Sequence, residues 1–145
     1  MRAIRFLLTL LLTVVLFSFQ TKKDKSSDFY IIFGSGFRND TVSLVMNEVP
    51  LITNVILKSD TIGDVSRDVS IHFKSDTLFV LDNTLKIVKR LPLRHNNTLR
   101  FILTINKMPY DLMADLKKGK YIVISKHWYY YNVYLNQFKK TVILE

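Results

Sequence analysis

From residue 28 onward, hydrophobic and polar side chains alternate along the chain with a period of two. Residues 98–106 show the pattern most clearly, with hydrophobic side chains at Leu99, Phe101, Leu103 and Ile105. Because successive side chains of a β-strand point to opposite faces, this alternation predicts a strand with one buried face. Residues 41–47 and 70–74 follow the same pattern.

Further runs are rich in β-branched and aromatic residues, which favour strands. These runs are residues 29–33, 51–57, 77–81, 85–91, 121–125, 129–135 and 141–144. Polar joints suited to hairpin turns lie at Ser75-Asp76 and Asp82-Asn83. About ten strands separated by polar turns predict an all-β fold, and we interpret the pattern as an antiparallel β-sandwich.

One segment, Pro109–Lys118, departs from the period of two. Pro109 suits the first position of a helix, Leu112 and Leu116 are spaced for one helical face, and Gly119 would end the helix. The segment therefore predicts one short helical turn near residues 109–118.

The N-terminus, residues 1–20, combines two early arginines with an apolar run from Phe6 to Phe19. A membrane-spanning helix needs about 20 apolar residues, so a shorter run after a basic start is typical of a secretory signal peptide. No small-residue cleavage site follows, and three lysines come soon after, so the alternative is an uncleaved anchor. Both interpretations place the domain outside the cytoplasm, in the periplasm, on the cell surface or in the medium.

The chain then divides into a signal or anchor at 1–20, a polar tether at 21–28 and a single domain at 29–145. Membrane contact is expected only through the N-terminal segment, if that segment is retained. The chain has no Cys, which excludes a disulfide framework, a Cys-ligated zinc site, an iron–sulfur cluster and a thiol nucleophile.

The segment Asp115–Tyr121 has the sequence D-L-K-K-G-K-Y. It resembles the D-L-x-x-G-x-Y turn that precedes a late strand in immunoglobulin-like, fibronectin-type and transthyretin-like sandwiches. The resemblance implies Greek-key connectivity, with the Tyr121 hydroxyl bonded to the preceding loop so that it pins the corner between the sheets. It implies nothing about a ligand.

The most unusual stretch is residues 127–134, H-W-Y-Y-Y-N-V-Y. If this stretch is a strand in which Tyr129, Tyr131, Val133 and Leu135 face the core, the alternate residues, Tyr130, Asn132, Tyr134 and Asn136, face outward. The resulting candidate ligand platform consists of Trp128, Tyr130, Asn132 and Tyr134, with Asn39 and Asp40 of the glycine-containing 34–40 loop beside it. Exposed aromatic rings with amide neighbours suit a sugar or a peptide. The alternative, and the favoured one, is a packing role under a second sheet.

A second candidate site is basic, because residues 83–110 contain six Lys and Arg and no acidic residue. Its candidate contacts to an anionic partner are Lys86, Lys89, Arg90, Arg94 and Arg100. Such a stretch can attract an anionic polymer. The favoured alternative is that these side chains are solvated and prevent aggregation. Export argues against nucleic acid as the partner.

Three aspartates, Asp60, Asp64 and Asp68, recur at every fourth position between two strands. Calcium ions need several oxygen ligands, so these residues are candidate calcium ligands. Asp is also common in turns, and that explanation is favoured. No other cofactor is predicted.

No catalytic motif is present in the sequence, and His72, His95 and His127 are far apart along the chain. We therefore expect an exported, non-catalytic module that binds a glycan or a protein. The first alternative is a structural or accessory subunit of an envelope or extracellular assembly. A small hydrolase with a triad assembled by the fold comes third.

Overall fold

A computed structural model describes residues 28–59, 66, 68–127 and 129–140. Its ten strands are β1 (Phe29–Phe33), β2 (Arg38–Met46), β3 (Val49–Lys58), β4 (Val69–Lys74), β5 (Thr77–Asp82), β6 (Ile87–Pro92), β7 (Thr98–Ile105), β8 (Met108–Asp115), β9 (Tyr121–Lys126) and β10 (Val133–Phe138). Nine of them correspond to runs predicted from the sequence. The tenth predicted run, 141–144, lies outside the described residues, as does the predicted signal or anchor.

The strands form two sheets, which confirms the predicted all-β, sandwich-like architecture. The six-stranded sheet has the order β10-β9-β1-β4-β5-β6, and the four-stranded sheet has the order β3-β2-β7-β8. Neighbouring strands run antiparallel with one exception among the described pairs, because β1 and β9 are parallel. The prediction of an antiparallel sandwich is therefore correct for every pair but that one.

A single hydrophobic cluster fills the space between the two sheets, and the period of two explains it. The inward-facing residues of β1 are fully buried, and these are Phe29, Ile31 and Phe33. Leu99, Phe101, Leu103 and Ile105 of β7 meet them from the other sheet. Burying such side chains contributes roughly 1.5–3 kcal/mol each, which makes this interleaved layer the main source of stability.

The predicted helical turn at 109–118 is wrong, because residues 108–115 form strand β8. This strand pairs with β7 along its full length, from Ile105↔Met108 to Thr98↔Asp115. Asn106 and Lys107 both have positive φ, which makes the two-residue hairpin turn that directs β8 back along β7. Pro109 is tolerated because β8 is an edge strand of its sheet. Backbone pairing with β7 outweighed the local helical signal.

The corner between β8 and β9 is held by the side chain of Gln137 from β10. Its amide nitrogen donates to the carbonyl oxygens of Asp115 (2.9 Å) and Gly119 (2.8 Å), while its oxygen accepts the Asp115 N–H (3.0 Å). A Cβ at Gly119 would collide with the Phe138 backbone, so this position requires glycine. The Tyr121 ring lies on the outer sheet face, stacked on Tyr30, and the corner role of its hydroxyl stays a prediction.

Candidate functional site

Two loops meet at one end of the six-stranded sheet because β1 and β9 are parallel and end side by side. The loop after β1 donates the Gly34 N–H to the Ile124 carbonyl (2.8 Å) and accepts the Lys126 N–H at Ser35 (3.0 Å). Gly36 has φ +95°, and a Cβ there would overlap the Lys126 carbonyl oxygen. The glycine in this loop thus allows it to lie directly against the end of β9.

A buried serine fixes the same loop from the other side. The Ser59 hydroxyl oxygen accepts the N–H groups of Gly36 (2.9 Å) and Phe37 (3.0 Å) and donates to the Phe37 carbonyl (3.2 Å). The Phe37 ring is buried and lies edge-on against Phe33. These bonds satisfy the turn's backbone groups internally, which makes the 34–37 loop a rigid base.

The strands that bear these loops are joined by a buried ion pair between Lys126 and Asp40. The ammonium lies 3.0 Å and 2.9 Å from the two carboxylate oxygens. The Asn106 amide (2.6 Å) and the Arg38 N–H (2.9 Å) also donate to this carboxylate. Burial alone would raise the pKa of Asp40, but the hydrogen bonds from Lys126, Arg38 and Asn106 together hold the pKa below its ordinary value.

Residues 129–132, here the tyrosine loop, project from this end of the sheet. Tyr129, Tyr130 and Tyr131 are 79%, 64% and 73% exposed. His127 anchors the loop, since its Nδ1 accepts the N–H groups of Tyr129 (3.2 Å) and Tyr130 (3.3 Å). The His127 N–H donates to the Asn132 carbonyl (2.8 Å) and closes the loop. Because Nδ1 is an acceptor here, it carries no proton in this arrangement.

An arginine links the two loops. The Arg38 guanidinium lies 5.9 Å from the centroid of the Tyr129 ring, within the range of a cation–π contact. The His127 ring lies 4.6 Å from that of Tyr130, tilted by 47°. Sequence reasoning missed Arg38 and His127 as parts of this site. The only local signal was their position beside the glycine-containing loop and the tyrosines.

The predicted ligand platform is brought together in part. Tyr130 and Asn132 are exposed in the tyrosine loop, Tyr134 is exposed on β10, and Asn39 is exposed at the start of β2. Asp40 lies at the same end, but its carboxylate is buried and occupied by Lys126 and Asn106. Trp128 lies outside the described residues.

The expectation that Tyr129 and Tyr131 face the core is wrong. The strand begins only at Val133, so the alternation of inward and outward positions starts there. From that residue Val133 and Leu135 pack against the core, while Tyr134 faces outward as predicted. Before it, no strand among the described residues covers the tyrosine rings, and all three are exposed.

The predicted basic residues do not form one face. Lys86 and Arg90 are exposed, and the Lys89 ammonium donates to the Pro50 carbonyl (2.8 Å) of the opposite sheet. Arg90 lies over the Phe79 ring (5.8 Å), and Arg94 is exposed in the segment after β6. Arg100 is on β7 of the other sheet and pairs with Asp111 (2.6 Å).

The predicted calcium ligands Asp60 and Asp64 lie outside the described residues. Asp68 is described, and one of its carboxylate oxygens accepts the Lys58 N–H (2.7 Å) and the Ser66 hydroxyl (2.8 Å). Within the described part of the chain, no group of three or more His, Asp or Glu side chains lies close enough to hold a metal ion.

A row of aromatic residues that sequence reasoning missed crosses the outer face of the six-stranded sheet. The register places one residue of each strand in line, in the order Phe138, Tyr121, Tyr30, His72, Phe79 and Arg90. The Tyr30 and Tyr121 rings stack on each other at 5.0 Å and 9°, and His72 meets Tyr30 edge-on. Burial lowers the pKa of His72. Because these rings contact one another, they cover the sheet and leave little ring surface on which a ligand could stack.

The outer face of the four-stranded sheet has two open grooves. One, of about 420 Å³, is lined by Val45, Asn47, Glu48, Arg100 and Ile102. The other, of about 350 Å³, lies between Ser43, Asn54 and Thr104. The Arg100 guanidinium beside the first groove is held by Asp111. Glu48 also lines the first groove, and Lys107 lines the second.

The three histidines lie in separate places. His72 is on the outer face of β4, and His127 supports the tyrosine loop. The His95 ring packs edge-on against Phe29 and Phe73 at the other end of the sheet. Its Nε2 is buried without a hydrogen-bond partner among the described residues.

A scan against protein-family models, a search of curated proteins and a search of solved structures found no match to this chain. The site is therefore interpreted from its own geometry.

Proposed function

We propose that this chain is an exported, non-catalytic binding module whose ligand is a saccharide held at the tyrosine loop. The observation that carries the proposal is the exposure of three consecutive tyrosines on a loop that its own hydrogen bonds hold in place. Large aromatic side chains are normally covered, so three exposed neighbours indicate a contact surface.

Tyrosine rings combine an apolar face, on which the C–H groups of a sugar ring can pack, with a hydroxyl that hydrogen-bonds at the edge. Arg38, Asn39 and Asn132 are polar and lie in or next to the two loops. This combination of ring faces with amide and guanidinium donors suits a ligand that has both apolar and hydroxyl surfaces.

The rigid 34–37 loop supports a binding role for the end of the six-stranded sheet that carries the tyrosine loop. The 34–37 loop is fixed by Ser59, and the two loop-bearing strands are joined by the Lys126–Asp40 pair. Binding a ligand to a loop that is already ordered avoids the entropic cost of ordering it. The sequence adds the apolar N-terminal run, which supports export of the domain.

For the fold we propose the transthyretin-like type among the three sandwiches that the corner segment resembles. In immunoglobulin-like domains the second and third strands lie in different sheets. In this chain β2 and β3 are neighbours, and the orders β4-β1-β9-β10 and β3-β2-β7-β8 with a parallel β1–β9 pair are like those of transthyretin-like sandwiches. The β5–β6 hairpin extends the first sheet beyond that pattern.

A glycan-array screen of the full chain, followed by titration of any hit, tests the function. Tyr130→Ala and Tyr131→Ala are each expected to weaken binding about fivefold or more, since an aromatic contact is worth about 1 kcal/mol beyond its buried area. The matched control is Met113→Ala, which removes an exposed side chain from the far sheet. The free energies of unfolding of all three variants should lie within about 0.5 kcal/mol of the wild-type value.

A folded protein with a blank array would overturn the saccharide ligand. Retention of a protein partner that Tyr130→Ala releases would instead support the accessory-subunit alternative. Equal weakening by Met113→Ala would remove the tyrosine loop as the site.

A further inference from the structure

Residues 83–88, here named the hairpin tip, comprise the turn between β5 and β6 and the first two residues of β6. We propose that the hairpin tip docks on an anionic membrane surface, with its aliphatic side chains entering the interfacial layer and with Lys86 and the adjoining Arg90 contacting the headgroups. This membrane contact is separate from the N-terminal segment, and it does not depend on the saccharide proposal.

Leu85 is the first observation behind the proposal. It has φ +60°, in the left-handed region, and its side chain is 72% exposed. The turn is held by Leu85 N–H to the Asp82 carbonyl (3.0 Å) and by Asp82 N–H to the Lys86 carbonyl (3.0 Å). Glycine or asparagine is the usual residue at a left-handed position of such a turn. A leucine there is favoured neither by the backbone nor by burial, which points to contact with something outside the chain.

Two more aliphatic side chains extend this surface. Ile87 and Val88 are 44% and 61% exposed, although they are consecutive residues of a strand. The β5–β6 register shifts between Val80 and Leu81, next to this point, so the usual alternation is interrupted. Three exposed aliphatic side chains within four residues form an apolar protrusion of the kind that marks an interaction site.

The chain that follows the hairpin tip is basic, and Lys86 is the cation of the tip itself. Residues 83–94 contain Lys86, Lys89, Arg90 and Arg94 and no acidic residue. The acid at its base, Asp82, uses its carboxylate to accept the N–H groups of Thr84 (2.9 Å) and Lys86 (3.0 Å). An apolar tip with the exposed Lys86 in it and the exposed Arg90 on the adjoining strand complements an anionic lipid surface, where apolar insertion and attraction to headgroups act together.

Composition favours a membrane over a protein partner. Energetically dominant residues of protein interfaces are enriched in Trp and Tyr, and the hairpin tip has neither. Leucine, isoleucine and valine beside lysine and arginine are instead the residues of interfacial membrane segments. The apolar N-terminal run, which we expect to be a signal or an anchor, is consistent with a domain that meets a membrane.

Docking would also orient the domain. The register Val69↔Asp82 and the antiparallel β1–β4 pair place the hairpin tip at the same end of the sheet as the tyrosine loop. Five inter-strand spacings separate β6 from β10, or about 24 Å. The tyrosine loop would therefore face the membrane side of the domain.

The absence of cysteine permits a direct test on the full chain. Leu85→Cys introduces a single thiol for an environment-sensitive fluorophore, and Lys118→Cys places the same label in the turn at the opposite end of the sheet. Each protein is reconstituted with vesicles of phosphatidylcholine alone or mixed with phosphatidylglycerol, at two salt concentrations. Because the label reports its own surroundings, insertion of the N-terminal segment does not obscure the result.

A blue shift at position 85 that requires phosphatidylglycerol, diminishes with salt and is missing at position 118 is the expected result. Adding Lys86→Gln should lower the ratio of docked to undocked label about fivefold, the effect of one lysine at an anionic surface. The proposal is overturned by an unshifted label, or by equal shifts on neutral vesicles or at position 118. A blue shift of the label that occurs without lipid and increases with protein concentration would overturn the membrane proposal and indicate self-association instead.

Discussion

Lys126→Met tests the buried ion pair that joins the two loop-bearing strands. The side chains of Lys126 and Asp40 are only 15% and 5% exposed. Methionine keeps most of the lysine's length and removes its charge, so the variant leaves a buried carboxylate with two neutral donors, Asn106 and the Arg38 N–H.

The expected cost follows from that burial. Removing one partner of a buried pair typically costs about 3–5 kcal/mol, whereas an exposed pair contributes about 0–1 kcal/mol. Because two hydrogen bonds to the carboxylate remain, we expect the lower end, about 3 kcal/mol. The matched control is Arg100→Met, which breaks a pair whose side chains are 63% and 53% exposed. We expect it to cost at most about 1 kcal/mol.

Urea unfolding of the two variants and of the wild type measures the difference. At a slope of about 1–3 kcal/mol per molar urea, a loss of about 3 kcal/mol in Lys126→Met should lower the midpoint by roughly 1–3 M. A third variant, Lys126→Met with Asp40→Asn, removes the uncompensated charge and should recover part of the loss.

The pH dependence gives a second, independent measure. In the wild type the folded pKa of Asp40 is lowered from 3.8, so its stabilising contribution is present above that value and is lost as pH falls through the folded pKa. Lys126→Met removes the hydrogen bond and the charge of Lys126 that lower this pKa, so we expect burial to raise the pKa of Asp40 above 3.8 in the variant. In the variant, the stabilising contribution of Asp40 is then present at low pH and lost as pH rises. The difference in free energy of unfolding between the wild type and the variant should therefore become smaller from pH 7 to pH 4. Equal small losses for Lys126→Met and Arg100→Met, or a difference that does not become smaller, would refute this reasoning.

Three further substitutions test backbone conformations that the turns require. Gly36→Ala should destabilise the fold by at least about 2 kcal/mol, because the φ of Gly36 is +95° and the new Cβ would overlap the Lys126 carbonyl. In Gly34→Ala the new Cβ meets the Ser125 side chain, and this variant should lose less stability in the same thermal or urea melt. Leu85→Asn should raise the free energy of unfolding by about 0.5–1 kcal/mol, because asparagine tolerates positive φ better than leucine. A loss of stability in Leu85→Asn would mean that the leucine has a packing role in the fold.

Period-two patterning was enough to predict most strands, because side-chain alternation is a local property of extended backbone. The pattern at residues 98–106 contains all the information needed to place Leu99 and Phe101 on a buried face. The same local logic failed at 109–118, where we interpreted the spacing of Leu112 and Leu116 as helical although Tyr110, Leu112 and Ala114 alternate toward the core. Pairing with β7 decided between helix and strand.

The candidate site was much less accessible from the sequence. The tyrosines stood out by composition, yet whether Tyr129 and Tyr131 were covered depended on where β10 begins, which in turn depends on its pairing with β9. The importance of Lys126 for Asp40 was invisible, because 86 positions of chain separate the two residues. The aromatic row on the six-stranded sheet likewise exists only once the register of all six strands is set.

The sequence by itself determined that the chain forms strands, which of their residues are buried and where unusual surface chemistry is concentrated. Those properties follow from the geometry of an extended chain and from the hydrophobicity of each side chain. Only the tertiary structure decided strand order, register, the parallel β1–β9 pair and the coverage of the tyrosines. Each of these depends on contacts between distant segments, whose relative stability is settled by how the two sheets pack as a whole.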